Sequence, residues 1–327
     1  MPTLIMTDVV KELRDGATIT DVLRVQQSYH EQRRWSTDTL FEGRKLSDKA
    51  GDVDRAALWH SSRAELTTQP AGIRLAVDGV KLANELRETN PLGADVLHCA
   101  AAWSARYWLE EEAHHEVAFG RLLDMAGMDA IDVDDVVEHR GPFPTDNYAR
   151  VCILQACVEI EACVSYGWVS RQSQDPLVRD VFHTIMKDEV QHRQYFASFA
   201  KALVDSGVYP IKDVLSMAYT WIRPDGGETF GSAREAQTER QGYVNWWEQT
   251  RAGEDEFALG DDALHEGSVH SKKLTSVFAL VRETTGIQTE SYDDLKRAYF
   301  ASLRTNDVDR IRSAVRAGAA REAALAG

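Results

Sequence analysis

The sequence predicts an all-α protein built around a four-helix bundle, and three observations carry that reading. Apolar residues recur at helical spacing along the whole 327-residue chain. Turn-forming Pro, Gly, Asn and Asp fall between these segments rather than between alternating strands. Two Glu-x-x-His elements, Glu112-Ala-His-His115 and Glu189-Val-Gln-His192, each lie inside such a segment. Residues three apart share one helix face, so each element can present a carboxylate and an imidazole to a single point.

Taken in order, helices are expected over about Asp8 to Arg34, Asp52 to Glu88, Gly93 to Ala126, Thr145 to Gln172 and Pro176 to Ser206. The last four make the bundle. Asn90-Pro91-Leu92-Gly93, Gly141-Pro142-Phe143-Pro144 and Gln174-Asp175-Pro176 punctuate them, with Pro and Asp placed to start helices. Beyond Gly207 the pattern gives a short helix near Ile211 to Ile222 and a loop, Arg223-Pro-Asp-Gly-Gly-Glu-Thr. Helices are then expected near Ser232 to Arg251, Asp261 to Thr285 and Tyr292 to Ala319. The length supports one domain over 1–327, with a bundle core at about 52–206 and a C-terminal helical extension over 207–327.

Composition narrows the function classes. A formal charge of −15 argues against nucleic acid or an anionic membrane as partner. Met1 to Gly16 lacks a basic region followed by an apolar run, and no stretch approaches 18 uninterrupted apolar residues, so a cytoplasmic protein is expected. The four cysteines, Cys99, Cys152, Cys157 and Cys163, have no Cys-x-x-Cys spacing and read as small buried hydrophobes.

The setting of the Glu-x-x-His elements gives them weight. Phe182, Ile185, Met186, Phe196 and Phe199 continue the face of Glu189 and His192, so charged groups sit in an apolar stripe. The Glu112 and His115 face carries Ala105, Trp108, Leu109, Phe119, Leu122 and Leu123, whereas the face of Glu111 and His114 carries Ser104 and Arg121. Glu112 and His115 therefore point inward, and Glu110, Glu111 and His114 are expected at the rim, beside the ligands or facing solvent. Buried carboxylates need compensation, and two such elements suit a carboxylate-bridged pair of metal ions. The ligand chemistry makes two iron ions the first choice and manganese the second. A bundle site of this kind needs one further Glu from each of two other helices. The third bundle helix offers Glu159 and Glu161 on opposite faces, and periodicity does not choose between them. The first offers Glu65, Asp78, Glu85 and Glu88.

Several segments resemble the soluble acyl-carrier-protein desaturases. Glu159-Ile-Glu-Ala-Cys-Val-Ser-Tyr-Gly, Arg171-Gln172 and Lys187-Asp188-Glu189-Val-Gln-His192 are similar to that family's Q-E-x-A-T-x-x-S-H-G, R-Q and A-D-E-K-R-H. Trp108-Leu-Glu-Glu-Glu112-Ala-His-His115 is similar to its W-x-x-E-E-N-R-H. The resemblance spans roughly 52–206 and fades by about residue 222. It assigns the ligand place to Glu159 on the third helix. On the first it favours Glu65, about a dozen residues into its helix and followed by Thr67-Thr68-Gln69-Pro70. It implies a ferritin-like fold, a homodimer, a di-iron site of Glu65, Glu112, His115, Glu159, Glu189 and His192, oxygen activation with electrons from a ferredoxin, and an acyl thioester on acyl carrier protein as substrate. Two departures stand out. The family's hydroxyl residue three places after the third-helix Glu is Ala162, and its S-H-G is Ser165-Tyr166-Gly167. Either could shift the outcome toward hydroxylation or N-oxygenation of a small biosynthetic intermediate. A non-catalytic, ferritin-like iron-binding protein is the reading from another class.

The remaining candidates have bland expectations. His60, His98, His139, His183, His265 and His270 lack the pattern; Asp262-x-x-His265 copies only its spacing, in an acidic setting. Trp103, Trp108, Trp246 and Trp247 read as packing. Arg33, Arg34, Arg44, Lys45 and Lys49 form a basic cluster expected to be solvated, with docking of an acidic carrier protein or ferredoxin as its alternative role.

Overall fold

The computed structural model describes residues 9–66, 68–131, 147–222 and 267–326. Every regular element among them is helical. In chain order these are α1 (Val9–Arg14), α2 (Ile19–Arg33), α3 (Thr37–Phe41), α4 (Asp52–Glu65), α5 (Thr68–Leu86) and α6 (Pro91–Trp103). A π-helical turn (Ser104–Trp108) leads into α7 (Leu109–Met125). Then come α8 (Tyr148–Gln172), α9 (Pro176–Asp205), α10 (Ile211–Ile222), α11 (Gly267–Thr285), α12 (Tyr292–Ser302) and α13 (Val308–Ala326). The anticipated helix from Ser232 to Arg251, the loop after Ile222, the start of the helix expected from Asp261, and His139, Trp246, Trp247, Asp262 and His265 lie outside the described residues.

Caps explain where the helices begin. The Asn90 side chain accepts from Gly93 N–H at 2.9 Å with Pro91 in the first turn, Asn147 accepts from Arg150 N–H, and Asp175 accepts from Leu177 and Val178 N–H at 2.8 and 3.0 Å. The other oxygen of Asp175 takes the N–H and hydroxyl of Ser47, at 2.6 and 2.7 Å, which ties the loop after α3 to the start of α9.

Three expected helices are divided. The N-terminal one breaks at Gly16, where φ is 100°, and restarts with a reciprocal cap between Thr18 and Asp21. The helix expected from Asp52 to Glu88 stops at Glu65 and resumes at Thr68, because Pro70 has no N–H to give to the Leu66 carbonyl. The C-terminal one ends at Ser302 and restarts beyond Asp307, whose carboxylate accepts from Asp309 and Arg310 N–H.

The bundle comprises α4 with α5, α6 with α7, α8, and α9. The longest contact runs between α8 and α9, while α5 packs on α6 and α4 on α7. The opposite side of α8 is covered by α10 and α11, so this helix is apolar nearly all round. It is long and apolar enough to cross a membrane by length and composition, yet 72% of its apolar stretch is buried inside the bundle. Two apolar clusters fill the interior. One holds Trp103, Trp108, Phe196 and Phe199, and the other holds Phe119, Tyr166, Phe182 and Ile185. Along α7 and α9 the boundary between them falls at Glu112, His115, Glu189 and His192.

Candidate metal centre

Each of the four bundle rods brings a carboxylate to one layer of the core. Glu65 is the last residue of α4, Glu112 and His115 lie on α7, Glu159 is midway along α8, and Glu189 and His192 are midway along α9. All six are buried, and both histidines are fully enclosed. The preceding π-helical turn fixes the register of α7. It brings Trp103 and Trp108, five residues apart, into a stack with ring centres 6.1 Å apart and planes 13° apart.

The six side chains form two overlapping groups, Glu65, Glu112, His115 and Glu189 in one, and Glu112, Glu159, Glu189 and His192 in the other. Within each group the ligand atoms lie within 4.8 Å of one another. Glu112 and Glu189 belong to both, as bridging carboxylates would. His115 Nδ1 faces Glu112 and Glu189 at 3.4 Å and Glu65 at 3.7 Å. His192 Nδ1 lies 2.9 Å from Glu112 and from Glu189. Two donors each about 2.1 Å from a six-coordinate ion and at right angles to it lie about 3 Å apart, so these separations match a shared cation. His115 Nδ1 is buried and makes no hydrogen bond, which fits an atom aimed at an ion.

Outside the six, two acids hold the histidines. His115 Nε2 lies 3.2 Å from Asp188, and His192 Nε2 lies 2.7 Å from Glu111. Each acid immediately precedes the ligand Glu of one helix and grips the imidazole of the other. The repeated unit is therefore acid-Glu-x-x-His, and the two copies brace each other. Such contacts leave Nδ1 of each ring facing inward and fix its orientation. Asp188 also accepts from Arg33 and from the Trp35 indole, each at 2.6 Å, while Glu111 accepts from His30 at 2.8 Å with Arg33 at 3.7 Å.

Glu111, expected at the rim, beside the ligand candidates or facing solvent, takes the second of these places: it is 8% exposed and holds a histidine, with His30 and Arg33 of α2 against it. One expectation is corrected: the basic cluster is not uniformly solvated. Arg33 is turned inward, Arg34 pairs with Glu110 at 2.6 Å, and Arg44 pairs with Asp180 at 2.7 Å, leaving Lys45 and Lys49 as its exposed lysines.

Electrostatics call for positive charge. Four buried carboxylates face two imidazoles, and without a cation the layer must take up protons. Burial, reinforced by Glu112, pushes Glu65 up to about 8. Burial, with Glu189 nearby, pushes Glu159 well above the carboxylate range. Burial alone would lower both histidines, but Glu189 beside His115 and Glu112 beside His192 hold them well above their ordinary value. Burial would also raise Glu111, yet its hydrogen bonds with His192 and His30 keep it below the usual range. An ionised Glu111 can only accept, so His192 Nε2 carries the hydrogen. Divalent cations would replace the protons on Glu65, Glu159 and the two Nδ1 atoms.

The ambiguity on α8 is resolved by its neighbours. Glu159 enters the layer of carboxylates and imidazoles, and Glu161 turns the other way to pair with Lys273 of α11. On α5, Asp78 is engaged by Arg74 at 3.3 Å and Glu85 faces solvent, as does Glu88 just past the end of the helix. Tyr166 donates its hydroxyl to Glu65 at 2.6 Å. Tyr166 departs from the desaturase pattern, and this bond joins residues 101 apart, beyond the reach of local spacing. His60 is buried outside the layer, packed edge-on against Trp59. Comparison with known proteins adds no relative: no family model, no curated protein and no solved structure matches the chain.

Proposed function

We propose that the protein is an oxygen-dependent di-iron oxidase of the acyl-carrier-protein desaturase type, acting on an acyl thioester with electrons from a ferredoxin-type donor. The observation that carries this reading is the pair of overlapping three-Glu, one-His groups sharing Glu112 and Glu189 inside an apolar bundle. Mixed carboxylate and imidazole ligation suits iron first and manganese second. Glu65 and His115 would serve one ion, Glu159 and His192 the other, with Glu112 and Glu189 between them. When bound, the ion pair would supply the capacity to activate oxygen for attack on an unactivated C–H bond.

The protein's own groups do the rest. Asp188 and Glu111 hold His115 and His192 so that neither ring can rotate away. Trp103, Trp108, Phe119, Phe182 and Phe196 wall the layer and exclude water. Ala162 and Tyr166 stand where the desaturase pattern has a hydroxyl residue and a histidine. This favours a second reading, hydroxylation or N-oxygenation of a small biosynthetic intermediate.

The test is direct. The purified chain should hold about two irons, as six ligands of this kind imply. With ferredoxin, its reductase and oxygen it should oxidise an acyl carrier thioester, analysed by mass spectrometry. Full iron retention in both Glu112→Ala and Glu189→Ala would sink the di-iron reading. Turnover of a free acid or amine but not of the carrier thioester would favour the second reading.

A further inference from the structure

Glu65 differs from the other three carboxylates in where its backbone lies. Glu112, Glu159 and Glu189 sit within helices whose turns continue on both sides, whereas Glu65 ends α4 just before the break at Leu66. A helix C-terminus carries partial negative charge and a loosely held last turn, so it both disfavours a carboxylate and leaves its side chain poorly fixed. An external donor offsets both effects. Tyr166 is that donor: its hydroxyl reaches Glu65 Oε1 from α8 at 2.6 Å, while Oε2 lies 3.7 Å from His115 Nδ1. The phenol is 2% exposed and enclosed in the core, where Phe119 and Phe182 pack against its ring, each with ring centres 5.5 Å distant.

We infer that Tyr166 is a positioning residue for Glu65: it occupies one carboxylate oxygen, presents the other to the ion on the His115 side, and so makes the two ion sites unequal. This rests on the two-ion reading of the layer and extends it to a residue outside the six ligands.

The experiment titrates metal-free protein with Co(II) without oxygen, following visible absorbance and bound cobalt per chain. Wild-type protein should take up two. Tyr166→Phe keeps the ring and removes only the hydroxyl. It should bind one cobalt as before and the other about tenfold to a hundredfold more weakly, the usual effect of losing a group that orients a metal ligand. Glu65→Ala should weaken the same site, and adding Tyr166→Phe to it should change nothing further, since the hydroxyl acts only through that carboxylate. Two unchanged sites in Tyr166→Phe, equal weakening of both, or a further loss in the double variant would each overturn the inference while leaving the two-ion reading intact. Wild-type protein that takes up fewer than two cobalt ions would remove the two-ion reading, and the inference with it.

Discussion

Removing Lys273 should destabilise the protein and leave its metal sites full. Lys273 of α11 pairs with Glu161 on the face of α8 turned away from the metal layer, and both side chains are about one-tenth exposed, at 11% and 10%. Breaking such a pair strands a charge in the interior and costs about 3–5 kcal/mol. Unfolding entropy near 2.1 cal/mol/K per residue, over 327 residues, turns this into a fall in Tm of about 4–7 °C for Lys273→Met. Glu161→Gln should also lower the Tm. The double variant Glu161→Leu with Lys273→Met should recover most of the loss, since two apolar groups can replace a buried pair at little cost. Calorimetry on metal-free protein gives the Tm values, and elemental analysis gives metal content, which should stay at the wild-type level in all three variants. Glu159→Ala should do the reverse and lose metal. A shift below about 1 °C in both single variants, or metal loss in Glu161→Gln with retention in Glu159→Ala, would refute the assignment of the two faces.

Three further outcomes are expected. Glu111→Ala and Asp188→Ala should each weaken metal binding about tenfold to a hundredfold, because each frees a histidine to rotate; unchanged affinity by titration would show that the acids do not orient the ligands. Metal-free protein should lose stability as pH rises from about 4.5 to about 8. Glu65 has its folded value raised from 4.5 to about 8, and Glu159 is raised as well. A raised group contributes stability present below its unfolded value and lost as pH climbs through the folded one, and the raised His115 and His192 act in the same sense. Melting in a chelator across this range checks it, and a Tm that increases with pH would contradict it. Under the proposed activity, Ala162→Thr should change the ratio of oxygen consumed to product formed; an unchanged ratio would remove any role for that position.

Local spacing alone brought much of this molecule within reach. Helical periodicity and the Pro, Asn and Asp caps set most helix starts. The three-residue offset put Glu112 with His115 and Glu189 with His192, because a shared helix face is a property of one segment. Pattern did not foresee the breaks at Gly16 and after Glu65, where a single backbone conformation or a missing N–H overrides a continuous apolar stripe.

What the sequence determined by itself was an all-α bundle and four inward ligand candidates on two of its helices. What only the tertiary structure decided was everything that depends on a neighbour. Both faces of α8 are buried, so periodicity could not separate Glu159 from Glu161; the carboxylate and imidazole layer on one side and Lys273 on the other do. Periodicity left Glu111 open between the rim, a place beside the ligand candidates and solvent, and the packing of His30 and Arg33 of α2 against it decided. Tyr166 meets Glu65 across 101 residues of sequence. Amphipathicity records one buried face per helix, and a side chain's partner on a second face is fixed only when another helix packs there.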